Sequence, residues 1–149
     1  MRKIIFRGQS LNDGKWVYGY IRHYENNEHT TEKWTIYEPV LSLEHEVDPD
    51  TIGEYTGKLV NNDKLFDGDI CAFTYIPNPY YNNPNEYAVT AVVEWSERNF
   101  GWCLHNICPR SKKHPSRKQY FLLGDYRVFN LKIIGNRWEN NNLLKGGDE

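Results

Sequence analysis

Apolar positions along this chain fall in short runs rich in Val, Ile, Tyr, Phe and Trp, each bounded by Gly, Pro, Asn or Asp. Runs of that kind predict β-strands, because branched and aromatic side chains fit a pleated surface and the bounding residues fit turns. Ile4-Ile5-Phe6-Arg7 reads as a first strand and Lys15 to Ile21 as a second, joined as a hairpin through the turn residues between Gly8 and Gly14. Successive side chains alternate between the faces of a strand, so Trp16, Tyr18 and Tyr20 share one face and Val17, Gly19 and Ile21 the other. Large aromatics aligned on a strand ordinarily pack inward, which assigns the three rings to the core; a binding surface is the competing reading.

After a polar loop from His23 to Lys33, Trp34 to Tyr37 and Val40 to Leu43 read as short strands flanking Pro39. Asp48-Pro49-Asp50-Thr51 has the form of a helix start, with Asp48 as cap and Pro49 at the first position, stopped within a turn by Gly53. Asp67-Gly68 predicts a tight turn into a strand in which Ile70, Ala72 and Thr74 alternate with Cys71, Phe73 and Tyr75. The segment from Pro77 to Glu86 carries Pro77, Pro79 and Pro84 among four asparagines, cannot pair regularly, and is expected to protrude as a loop. Strands are then expected over Tyr87 to Trp95, Trp102 to Ile107, Gln119 to Leu123 and Val128 to Ile134, with one closing helical turn between Glu139 and Leu144. No repeat or biased linker interrupts the series, so residues 1–149 are expected to form one mainly β domain, a small barrel or sandwich.

Composition narrows the function without naming it. Charged residues make up 26% of the chain and hydrophobic ones 39%, which speaks against disorder. The longest apolar runs are far shorter than the roughly 20 residues of a membrane span, so no membrane association is expected. The basic N-terminus loses its apolar run at Arg7, so no signal peptide is expected. Cys71, Cys103 and Cys108 are then read as free thiols of a reducing, cytoplasmic compartment. A formal net charge of −2 gives no global attraction to nucleic acid.

Local patches remain. Cys103, His105, Cys108 and His114 have zinc-ligand chemistry but not the paired short spacing of structural sites, so no metal is expected. Glu54, Asp67, Asp69 and Glu94 lie near strand ends, where turn chemistry accounts for them without acid-base catalysis. No phosphate-cradling glycine loop is present, Cys71 reads as a buried strand residue, and no catalytic residue or cofactor is assigned. The densest basic stretch runs from Arg110 to Lys118. Arg110, Lys112, Lys113, Arg117 and Lys118 could contact phosphates, with Tyr120 and Phe121 following for base stacking.

Six stretches in order resemble the YopX-like family of phage and prophage proteins: Ile5 to Gly8, Lys15 to Gly19, Val47 to Gly57, Leu65 to Ile70, Val92 to Trp95 and Ile134 to Asn140. The resemblance implies an SH3-like small barrel with extra N-terminal strands, long loops and one or two short helical turns, encoded by a phage or integrated prophage. It implies no catalytic residues. The chain departs from the shared frame in Tyr75 to Tyr87 and Ile107 to Lys118, where specificity could reside. The expected role is a non-enzymatic binding or assembly module with a macromolecular partner. Homo-oligomerisation through exposed strand edges belongs to that expectation; nucleic-acid binding by the basic loop and an unrecognised enzymatic activity are the alternatives.

Overall fold

The computed structural model describes residues 1–106 and 120–144. Its chain divides into two compact units, Met1–Lys58 and Leu59–Glu149. In the first, strands β1 (Phe6–Gln9), β2 (Trp16–Tyr24), β3 (Lys33–Glu38), β4 (Leu43–Glu46) and β5 (Gly53–Val60, whose last residues open the second unit) are ordered β4-β3-β2-β1-β5. All neighbours are antiparallel. Buried Val17, Ile36 and Val47, with Phe6, Trp34 and Ile52 against them, form the core.

The two faces of β2 are the reverse of the sequence expectation. Val17 and Gly19 are buried, while Tyr18 is 47% and Tyr20 55% exposed. The buried face is the one on which Val17 meets Ile36 and Val47, and at Gly19 on that face a side chain would run into the Tyr37 carbonyl. On the opposite face the Arg7 guanidinium lies 4.7 Å from the Trp16 ring, and that of Arg22 lies at the same distance from Tyr37 of β3. The strand expected over Val40 to Leu43 is mostly a turn. Pro39 to Ser42 reverses the chain, Ser42 at φ 51 donates its N–H to the Pro39 carbonyl at 3.3 Å, and Val40 is left 90% exposed.

The cap at Asp48 forms as expected. Its carboxylate accepts the Asp50 N–H at 3.0 Å, at the head of a 3-10 turn over Pro49–Thr51. Thr51 ties this turn to β1, its hydroxyl donating to the Asp48 carbonyl at 2.7 Å and accepting the Gln9 N–H at 2.8 Å.

The second unit holds β6 (Asp63–Phe66), β7 (Asp69–Tyr75), β8 (Tyr87–Ser96), β9 (Gly101–Asn106), β10 (Tyr120–Leu122), β11 (Val128–Asn136) and a final 3-10 turn over Asn141–Leu143. β6 was not expected. It follows a turn at Asn61 and Asn62, whose φ of 50° and 70° suit a tight hairpin. The antiparallel order β10-β9-β8-β7-β11 packs Cys71, Phe73, Tyr75, Val93, Leu104 and Phe121 inward, Phe121 meeting Phe73 and Tyr75 edge-on at 5.2 and 4.9 Å.

One joint ties the start of β7 to β8 and to the end of β11. Gly68, at φ 83, donates its N–H to Val93 O at 2.8 Å and accepts from Arg137 N at 3.0 Å, and a Cβ there would overlap the Trp138 ring. Asp69 is buried and its Oδ2 accepts the Phe66 N–H at 2.8 Å. Across from it Asn136 gathers the turn that follows, its Oδ1 accepting the N–H groups of Trp138 and Glu139 at 3.1 and 3.0 Å. The stretches Leu65 to Ile70 and Ile134 to Asn140, which carry the family resemblance, are thus halves of one packed joint.

Barrel closure is not confirmed. β10 stops after three residues, where the Leu122 carbonyl accepts from Asp125 N at 3.0 Å, and β10 and β11 remain the two ends of the sheet among the described residues.

Candidate functional site

Antiparallel register brings Glu94 of β8, His105 of β9 and Tyr120 of β10 onto one face, since Glu94 pairs with Cys103 and His105 with Tyr120. Glu94 Oε1 lies 2.6 Å from His105 Nδ1, and the Tyr120 ring stacks on the imidazole at 4.4 Å and 8°. An N–H at Nδ1 can donate to the carboxylate, which together with the Tyr120 stack orients the imidazole. Beside it a cavity of about 610 Å³ is lined by Glu94, Trp95, Ser96, Glu97, Arg98, Asn99 and Tyr120. Trp95 is 45% exposed and meets Trp102 edge-on at 5.5 Å.

The three members of this cluster came from three separate sequence constellations: the strand-end carboxylates, the zinc-like set and the aromatics after the basic stretch. Only the cross-strand register unites them. Of the zinc-like set, Cys103 is fully buried two residues from His105, and Cys108 and His114 lie outside the described residues. Among the described residues no group of three His, Cys, Asp or Glu could hold a metal ion. Arg110, Lys112, Lys113, Arg117 and Lys118 also lie outside the described residues, which resume at Tyr120. Cys71 is buried, and burial, reinforced by the nearby Asp69 charge, pushes its thiol up to about 12. Of the remaining carboxylates, Asp69 holds a turn and Glu54 pairs with Arg2.

A second feature had no signal in the sequence beyond its loop. The expected loop between β7 and β8 exposes Tyr80 by 90% and Tyr81 by 70%, and the connection from β10 to β11 exposes Tyr126 by 63%. Tyr80 and Tyr126 lie near parallel, 6.3 Å between ring centres at 29°. Arg127 lies beside Tyr126: Asp125 takes its guanidinium through Nε at 2.9 Å and Nη2 at 2.8 Å, and it lies 5.6 Å from the Tyr75 ring and 5.5 Å from that of Tyr126. The hydrogen bonds to Asp125 raise the Arg127 pKa, so its charge is permanent. The Arg127 carbonyl also accepts the Ile76 N–H at 2.9 Å, fastening the start of the loop to this connection.

No helix among the described residues is long and apolar enough to cross a membrane. Residues 5–145 match the YopX protein family. No curated protein matches the chain.

Proposed function

The chain belongs to the YopX protein family, and on that premise we propose that it is a cytoplasmic, phage- or prophage-encoded accessory protein acting as a non-enzymatic binding module for a macromolecular partner. The observation that carries this reading is the exposed ring pair of Tyr80 and Tyr126, with Tyr81 next to Tyr80 in the chain. The three rings are 63% to 90% exposed and unused by the core, and clustered exposed aromatics are characteristic of contact surfaces. The sheet edges suit strand addition poorly. β4 has four residues including Glu44, His45 and Glu46, β6 has four including Asp63 and Lys64, β10 has three among the described residues, and β11 carries two register shifts and Lys132. A partner, or a second copy of the chain, is therefore expected to engage side chains. The order of the second sheet, in which the last strand returns beside the first, supports reading that unit as an open relative of the SH3-like barrel.

A second reading has its own observation. The His105–Tyr120 stack stands at both ends of the segment carrying Arg110, Lys112, Lys113, Arg117 and Lys118, a combination suited to stacking bases and holding phosphates. Affinity capture from lysogenic or infected cells, with mass spectrometry and sequencing of bound nucleic acid, tests both. Enrichment of one protein, lost in a Tyr80→Ala/Tyr126→Ala variant, supports the first reading. Nucleic acid released by neutralising the five cations supports the second. Recovery of nothing above a mock bait removes both.

A further inference from the structure

We infer that the surface formed by Tyr80 and Tyr126 docks a proline-rich, extended segment of a partner protein. The inference rests on the binding-module reading and names its partner chemistry. Near-parallel phenol rings from two connections make a ridge against which the C–H faces of pyrrolidine rings can pack, and their hydroxyls can donate to carbonyl oxygens. A polyproline II segment offers both: it has no internal hydrogen bonds, so its carbonyls are open to donors, and it loses little entropy on binding.

Charge points the same way. Asp125 and Arg127 neutralise each other within the surface, so it complements an uncharged ligand and offers a polyanion no free cation from that pair. The backbone beneath the rings is tied in place, because Tyr81 N donates to the Asn78 carbonyl at 3.3 Å, Val128 N donates to Asp125 O at 3.1 Å, and Ile76 is tied to Arg127. A tethered backbone lowers the ordering cost of a contact.

Fluorescein-labelled decaproline, a Gly-Ser peptide of equal length and oligo(dT) are titrated with the full chain, with anisotropy as the readout. Decaproline is expected to bind saturably and the Gly-Ser peptide not at all. Tyr80→Ala and Tyr126→Ala each weaken decaproline binding about tenfold, with an unchanged melting curve. Tyr20→Ala, an exposed tyrosine of the other unit, leaves it unaltered. No saturable rise by about 1 mM protein, equal binding of the Gly-Ser peptide, or equal loss in Tyr20→Ala overturns the inference. So does binding of oligo(dT) that Tyr80→Ala abolishes. If decaproline fails while the chain still captures a cellular partner, the peptide class falls and the binding-module reading stands.

Discussion

Replacing Gly68 with alanine probes the joint on which the second unit depends. At φ 83 an alanine is held in the left-handed region, at a cost of about 1–2 kcal/mol. Its Cβ also falls on Cη2 and Cζ3 of Trp138, so the indole must move, and overpacking of this kind costs about 1–3 kcal/mol more. A loss of about 2–5 kcal/mol is a large share of the 5–15 kcal/mol that holds a typical domain folded. At a urea slope of about 1.5 kcal/mol per molar, a loss of about 3 kcal/mol lowers the midpoint by about 2 M. Urea unfolding followed by circular dichroism reads this directly, and the Trp138→Ala background separates the two contributions. With the indole removed, Gly68→Ala should retain only the backbone cost. An equal cost in both backgrounds would refute the packing half of the reasoning, and a loss below about 1 kcal/mol in the intact chain would refute the whole.

Asn136→Ala removes the oxygen that accepts the Trp138 and Glu139 N–H groups and the amide that donates to Glu139; urea unfolding should show a loss of about 1–3 kcal/mol, and no loss would separate this turn from the stability of the sheet. Glu44 accepts hydrogen bonds from Thr35 at 2.6 Å and Tyr24 at 2.7 Å, which hold its pKa below the usual 4.5. Its contribution is therefore complete above pH 4.5 and lost as pH falls through the lower folded-state value. The stability gap between wild type and Glu44→Gln should be widest near neutrality and close in acid; a gap independent of pH contradicts this. Peptide mapping after brief alkylation at pH 8 should find Cys71 unmodified in the native chain and modified in urea, because its thiol is raised to about 12. Rapid native labelling of Cys71 would contradict its burial.

Local chemistry made the turn at Gly68, the cap at Asp48 and the strand Asp69–Tyr75 legible, since each depends on residues adjacent in sequence. What failed depended on distant partners. The orientation of β2 follows from the packing of Val17 against Ile36 and Val47, residues distant in sequence, and period-two alternation identifies two faces without saying which is buried. Val40 to Leu43 has strand composition, but Pro39 and the left-handed Ser42 turn the chain there. The Glu94–His105–Tyr120 cluster exists only through the register of three strands. Tyr80 and Tyr126 belong to connections that meet because β11 returns beside β7, a pairing with no local signature.

Within the family-like stretches, Gly68, Asp69, Asn136 and Trp138 all serve turns and packing. Under the proposed reading, binding falls in the loop where this chain departs from the shared frame. Hydrogen exchange of the full chain, alone and with its captured protein partner bound, tests that placement most directly. Added protection is predicted over residues 76–87 and 123–128. Protection confined to residues 94–106 and 120–122, or none in the tyrosine-bearing segments, would contradict it.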